Sequence, residues 1–428
     1  MKLKSITTGM LLAAIPLLAT PELTVDQLIE TALKQSPDIN ISTSQLDAAF
    51  SRKDQADADY LPQIDALGSA GGQGVKLKDE SGFTDDTLLS GSITATQLIY
   101  DFGKTGGNMD AAQYDVNASN ARLQQVISDK IFDVKGAYYN VLQKKALIAV
   151  NKENVQLNES QLYRSQRYYE AGIRTKVDVT DAEVNLIHAK LSLNNSLYDY
   201  KLARVDLEKR IGTVPNRGQY TLYSKSIDFG NAYNSLPRLN ESMSELEEFA
   251  YLNRYELKEY QFRIDNRYAR IKSKNADYFP VIYGEGSYLM QNVDEIIALP
   301  EEQWQATVNL KWNIFSGFRT DAEVQEARID LLTASSEYES ARLEAKKRTD
   351  DAYLYVLKDL DSVKLNESLT RASKEKYHQV EQSYQHGIAD YIELQKARQE
   401  YIDSLAGIVT AYYSYYIALA RLDNAVGR

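Results

Sequence analysis

Cysteine is absent from this 428-residue chain, histidine occurs three times and tryptophan twice. Each scarcity excludes something. Without cysteine there is no disulfide framework and no N-terminal cysteine to carry a lipid, so stability must come from the core or from oligomerisation. His188, His378 and His386 lack metal-ligand spacing with any third ligand. Gly103-Lys104-Thr105 ends like a phosphate loop, but Leu98 stands where its first glycine is needed. Gly68 to Gly74 is glycine-rich and leads into no helix start, and no G-x-S-x-G nucleophile motif occurs. No catalytic constellation, cofactor site or metal site follows from these residues. Basic charge is also short, with 49 lysines and arginines against 60 acids, net −11. Nucleic acid needs a basic footprint and is a poor partner for such a chain.

Long apolar runs are missing too. The nearest is Leu405 to Ala420, sixteen uncharged residues of which four are tyrosine. At the N-terminus, Lys2 and Lys4 precede a mostly apolar run from Met10 to Ala19, the layout of a secretory signal peptide over residues 1–20.

The eight prolines cluster at junctions and leave Thr105 to Gly212 with none. Within that stretch Ile127, Val134, Val141, Ile148, Val155, Leu162 and Tyr169 recur every seven positions. A seven-residue period keeps one seam on a partner helix, as in a coiled coil. The arm to Tyr169 predicts a helix roughly 95 Å long. The period breaks at Ala171-Gly172-Ile173 and resumes after Thr175, giving a long helical hairpin with a glycine-bearing tip.

This hairpin occurs twice. A shift of 215 lays Tyr100 on Phe315, Lys104 on Arg319, Gly172 on Gly387, Asp178 on Glu393 and Ile211-Gly212 on Val426-Gly427, without insertion. Upstream, Asp59-Tyr60-Leu61-Pro62 answers Asp277-Tyr278-Phe279-Pro280 at a shift of 218. The spacing divides the chain into a first repeat over 21–212, a connector over 213–250 and a second repeat over 251–428. In each repeat a shorter helix, such as that from Pro37 to about Tyr60, precedes the strands. Two shorter helices then stack end to end to match each long arm.

Between helices the period becomes two. Strands are expected over about 62–77, 87–102, 280–290 and 304–315. In the last, Trp304, Ala306, Val308, Leu310, Trp312 and Ile314 alternate with polar residues, as in a barrel wall between lipid and water. Trp304 and Trp312, sharing that face, stand roughly 20 Å apart in height, near the spacing of interfacial aromatic girdles. Four strands cannot close a membrane barrel, and open edges are forbidden in lipid, so several chains must pool strands.

The duplicated strand–strand–hairpin order, Tyr100-Asp101-Phe102-Gly103-Lys104 with its echo Phe315-Ser316-Gly317-Phe318-Arg319, and the two glycine tips resemble the TolC-like outer-membrane efflux proteins. The resemblance covers nearly the whole chain after residue 20, on the branch without a lipid. It implies an α+β fold: a homotrimer with a 12-stranded barrel in outer-membrane lipid, continuous with an α-helical barrel through the periplasm of a Gram-negative bacterium. It implies no cofactor, and as partners a periplasmic adaptor and an inner-membrane transporter, ABC or proton-driven. The function implied is type I protein secretion or small-molecule efflux. An extracellular structural coiled coil or fibre is the alternative from the residues alone, disfavoured by the apolar face of the strand from Trp304.

The resemblance also implies sites. The tips at Gly172, Ile173, Arg174 and at Gly387, Ile388 are expected to dock the adaptor. For the closed entrance, Glu393 matches a ring carboxylate of the family pattern, Lys396 stands where a second acid is expected, and Ala389 where an arginine is. Tyr384 and its first-half partner Asp178 are present, and a bond between them is expected to hold the entrance shut. Asp390, one turn before Glu393, is expected to supply the second acid, with Lys396 partly neutralising Glu393 at i,i+3 spacing. An ordinary solvated helix end is the other reading of these charges.

Overall fold

The computed structural model describes residues 22–75, 82, 84–291 and 301–428. A short strand β1 (Glu22–Leu23) leads into α1 (Val25–Gln35), α2 (Pro37–Ala58), β2 (Gln63–Val75) and β3 (Thr84–Tyr100). The first hairpin is α3 (Lys104–Glu170) and α4 (Lys176–Ile211), followed by β4 (Thr221–Leu222). The second repeat runs α5 (Met243–Asn253), α6 (Tyr255–Ala276), β5 (Val281–Gln291), β6 (Glu302–Lys311), α7 (Arg319–Gln385) and α8 (Tyr391–Val426). The helices match pair by pair: 11 residues in α1 and α5, 22 in α2 and α6, 67 in α3 and α7, 36 in α4 and α8.

The short helices α1 and α5 are not among the expected elements, and residue 250 falls inside α5. Their signal is local. Thr24 and Gln27 form a capping box before α1, and Ser242 and Glu245 form another before α5. A glycine after α4 lies against the junction of α1 and α2, and one after α8 against the junction of α5 and α6. A Cβ on Gly212 (φ 83°), at the end of α4, would lie 2.9 Å from the Gln35 carbonyl oxygen. One on Gly427 (φ 85°), after α8, would lie 3.1 Å from the Arg254 backbone. Only glycine combines that left-handed turn with so close an approach.

Of the described residues, one compact unit takes in 22–37, 129–240 and 352–422, and the other 38–128, 241–351 and 423–428. Each therefore holds parts of both repeats. The first is helical. Val134 and Val141 of α3 are fully buried, and Val155 packs on Leu186 and Ala189 of α4. The heptad fades toward the tip, where Tyr169 is exposed. Leu405 to Ala420, the most apolar stretch, is the buried face of α8. Its tyrosines pack among helices, as where Tyr416 stacks on Tyr139 of α3 at 5.0 Å. The connector is pinned to this unit by the parallel β1–β4 pair and by Tyr415, whose hydroxyl donates to the Pro237 carbonyl at 2.6 Å.

The second unit carries an antiparallel sheet in the order β2-β3-β5-β6. Its strands depart from the expected bounds. β3 starts at Thr84, and residues 76–81, including the expected end of the first strand at Leu77, lie outside the described residues. β6 stops at Lys311, short of Phe315, because Lys311 already pairs with Val281 and the next residue back is Pro280, which has no N–H to extend the ladder. Where β3 and β6 pass into α3 and α7, two successive residues turn left-handed: Phe102 (φ 58°) and Gly103 (φ 95°), then Gly317 (φ 66°) and Phe318 (φ 67°). Asp101 caps the first junction, accepting from the Thr105 amide at 2.7 Å, and Ser316 caps the second, accepting from Thr320 at 3.3 Å.

The register aligns one apolar face across all four strands. Ile64 faces Ala95, Ala66 faces Ile93, and Ile93 faces Tyr288, which faces Trp304. Val308 and Leu310 continue that face opposite Gly284 and Ile282. The other face carries Ser90, Ser92, Thr94, Gln305, Thr307 and Asn309, with Leu67, Leu98, Tyr283 and Leu289 among its apolar exceptions. The apolar face is uncovered: Trp304 is 78% and Val308 73% exposed. No helix among the described residues is long and apolar enough to cross a membrane.

Candidate functional site

The hairpin tips lie in the helical unit and are built alike. α3 ends with the Ile173 amide donating to the Tyr168 carbonyl at 2.9 Å, and α7 with Ile388 donating to Ser383 at 2.9 Å. These are Schellman closures, and they place Gly172 (φ 70°) and Gly387 (φ 75°) in the left-handed region. The next residue is pushed outward, leaving Ile173 and Ile388 67% and 82% exposed. Each following helix is then capped by an acid. The Thr175 amide donates to Asp178 at 3.2 Å, and the Glu393 amide donates to Asp390 at 2.7 Å.

Within the chain these acids bond otherwise than a latch across the tips would have them. Asp390 precedes α8 as its cap rather than sharing a helix face with Glu393, because its short carboxylate is drawn to a free amide of the first turn. Asp178 is likewise spent on the start of α4 and makes no hydrogen bond to Tyr384. The Tyr384 hydroxyl instead meets Gln161 of α3, whose amide donates at 3.5 Å. Lys396 and Glu393 are both exposed, and among the described residues no ion pair joins them.

Behind the tips lies a polar layer of which the sequence singled out only Tyr384 and Arg174. Tyr384 is 2% exposed, and the Arg174 guanidinium lies 5.1 Å from its ring centroid. Burial, before any neighbouring charge, pushes the Tyr384 hydroxyl above its ordinary pKa, so it stays neutral. Arg164 of α3 pairs with Glu381 of α7 at 2.9 Å, and Asn185 of α4 donates to the Tyr391 hydroxyl of α8 at 2.9 Å. Arg398 is buried on α8 and donates to Gln395. No carboxylate pairs with it among the described residues, and burial pulls its pKa down. Gln161 Oε1 and Arg164 Nε are buried without partners. Its signal was available in the sequence. Arg398 falls in the run Tyr391, Leu394, Arg398, Tyr401, Leu405, a charge at a core position of the heptad.

The expected girdle divides. Trp304 lies in β6 opposite Tyr288, whereas Trp312 lies just past the strand, its indole donating to the Tyr278 carbonyl at 3.1 Å. Among the described residues no group of acids and histidines could hold a metal ion.

A family model described as "Outer membrane efflux protein" matches residues 28–213 and 248–428. The chain is similar to the outer membrane protein TolC of Escherichia coli strain K12, 26% identical over 201 residues, an alignment covering 44% of this chain and 41% of that protein. A second relative, the outer membrane protein TolC of Vibrio cholerae, is 20% identical over 407 residues, covering 94% and 90%. Among solved structures, that of CusC superposes with a TM-score of 0.83 at 17% identity, covering 94% of this chain and 92% of that one. At that identity the likeness is one of fold.

Proposed function

This chain belongs to the outer membrane efflux protein family, a family of transport channels, and from that premise we propose that it is the outer-membrane channel of a tripartite export system. The observation that carries this reading is the sheet whose register gathers the apolar residues of four strands on one uncovered face. In water such a face has no partner; in a bilayer it meets lipid while the opposite face meets a water-filled lumen. The outer strands β2 and β6 have no sheet neighbour on their far sides among the described residues. Lipid tolerates no open edge, so three copies of the four-stranded sheet close a 12-stranded barrel. The helical unit supports the same assembly. α4 exposes Val177, Val184, Ile187, Leu191, Tyr198, Leu202 and Val205 at spacings of three, four and seven, and α7 exposes Leu354, Leu365 and Leu369. These two faces meet between neighbouring copies as a coiled-coil seam.

The tips receive the periplasmic adaptor, with Ile173 and Ile388 as apolar anchors, and an inner-membrane transporter delivers cargo through it. Glu393 lines the entrance, and the layer of Tyr384, Arg174 and Gln161 holds it closed. No residue argues for an enzyme, and membership of this family leaves the fibre reading without support.

Purified protein in a planar bilayer decides the main reading. A channel passes discrete steps of current, and a fibre protein passes none. The docking role is separate: Ile173→Asp with Ile388→Asp abolishes export while leaving trimers in the membrane. Unchanged export from that double variant would rule the docking role out.

A further inference from the structure

The sheet-bearing unit contains a cavity of about 590 Å³ that touches all four of its long helical segments. Their order follows from the sheet. α2 leads into β2, α3 leaves β3, α6 leads into β5 and α7 leaves β6, so the strand order β2-β3-β5-β6 sets the row α2-α3-α6-α7. Ion pairs agree with that row: Lys272 of α6 reaches Asp110 of α3 at 3.1 Å, and Lys274 reaches Glu323 of α7 at 3.0 Å. One cavity can touch every member of a four-helix row only where the row bends around it, so the cavity marks the concave side. In a ring closed by further copies, the concave side is the lumen.

That cavity is lined by four arginines in a chain whose net charge is −11. Two are neutralised where they stand: Arg263 pairs with Glu259 at 2.5 Å and Arg267 with Asp330 at 3.5 Å. The other two, Arg52 of α2 and Arg122 of α3, are exposed and make no ion pair or hydrogen bond among the described residues. Four acids line the cavity as well: Glu259 and Asp330 are in the pairs just named, Asp115 of α3 pairs with Arg270 of α6 at 3.8 Å, and Glu337 of α7 is without an ion pair among the described residues. The wall therefore carries two uncompensated guanidinium groups for one free carboxylate. A guanidinium binds carboxylate, sulfonate and phosphate oxygens in a bidentate fork.

We infer that Arg52 and Arg122 form an anion-binding station on the tunnel wall, taking small anions and the anionic groups of passing cargo. In a trimer six such groups face one lumen and offset the repulsion of an otherwise acidic chain for anions. This inference rests on the channel reading, with the concave face as its lumen.

The test is the reversal potential of single channels in a potassium chloride gradient near 0.1 M, where charges act over about 10 Å. Arg52→Gln with Arg122→Gln should raise the potassium-to-chloride permeability ratio about two- to threefold, the size expected of unit charges at lumenal distance in water. Arg52→Lys with Arg122→Lys keeps the charge and should keep the ratio. Inorganic sulfate should slow chloride current through the unmodified channel and not through the Gln variant. Both side chains are exposed and unpaired, so neither change removes a contact the fold uses. A channel whose ratio and sulfate response are unmoved by the Gln pair would overturn this inference alone. Purified protein that carries no current would overturn the channel reading and this inference with it.

Discussion

Helices α4 and α8 have the same length and occupy equivalent places in the two repeats, yet they bury their apolar residues to opposite extents. Ile187 on α4 is 66% exposed, and its equivalent Ile402 on α8 is 4% exposed. Tyr198 is 57% exposed against 5% for Tyr413. The cause is what surrounds each helix. α8 is covered by α3 at Tyr416, by α7 at Tyr401, which stacks on Tyr377 at 5.8 Å, and by the connector at Tyr415. α4 packs on α3 and α1 and touches α8 at Tyr391 and the connector at Gly218 and Tyr220, but among the described residues its stripe of Ile187, Leu191 and Tyr198 stays uncovered. A duplicated sequence thus yields one helix finished within the chain and one that keeps an apolar stripe for another surface.

The largest effect should come from charging the two helices at equivalent places. Ile402→Asp buries a carboxylate in the α8 core, should cost about 4 kcal/mol or more, and should unfold the helical unit. Ile187→Asp with Leu191→Asp should leave the single chain folded and abolish the trimer, since each lost apolar contact removes about 1.5–3 kcal/mol at each of the interfaces. Circular dichroism with light scattering in detergent separates the two outcomes. Trimers surviving the α4 pair would mean that α4 is not at the interface.

The sheet supplies a second uncovered face and asks whether lipid covers it. Val308→Lys should cost about 2–4 kcal/mol and block outer-membrane assembly, with Trp304→Lys milder if that residue sits nearer the interface. Thr307→Lys, on the opposite face, should assemble normally. If all three assemble equally, protein rather than lipid covers this face.

On the covered helix, Arg398 is a buried charge with no acid to hold it among the described residues. Arg398→Met keeps the volume and removes the desolvation cost, so it should be neutral or raise stability by about 1–4 kcal/mol. Thermal unfolding measures this, and a lower Tm would reveal a partner for the guanidinium. Alkali acts on the same helix. Burial pushes Tyr401 and Tyr413 up to about 12, above the ordinary value near 10. Their neutral forms are favoured in the fold, so that stability is intact below pH about 10 and is lost as pH rises through about 12. Tyr401→Phe with Tyr413→Phe should flatten the fall in Tm over that window.

Much of this architecture was legible because its signals are repetitive. The heptad from Ile127 to Tyr169, the prolines at junctions and the shift of 215 predict hairpins that the structure forms within a residue or two. α1 was legible and went unread, since Val25, Leu28, Ile29, Ala32 and Leu33 keep the helical spacing behind its capping box, whereas α5 is marked chiefly by its capping box. The tips were legible as turns, since only the left-handed conformation needs glycine there. Their bonding was not. Which carboxylate caps a helix and which reaches across to another is decided by side-chain length and by the nearest free amide. Family position carries neither piece of information, and within the chain Asp178 and Asp390 bond as caps.

The smallest expected effect tests that bonding. Asp178 holds the first turn of α4 through the Thr175 amide at 3.2 Å, and Tyr384 meets Gln161 at 3.5 Å, a long and weak bond. Asp178→Ala should cost about 0.5–1 kcal/mol as a lost cap. Tyr384→Phe should cost about 0.5 kcal/mol or less, because the ring keeps its packing and its contact with Arg174. The two side chains share no bond, so the double variant should equal the sum of the single ones within about 0.5 kcal/mol. Denaturant unfolding of the four proteins gives the cycle directly. A coupling above about 1 kcal/mol would mean that Tyr384 and Asp178 do bond across the tips, and that the closed entrance is latched there after all. Single-channel recordings of the same four proteins carry the matching statement about function. With independent side chains, each variant changes conductance on its own, and the double variant opens no further than their product.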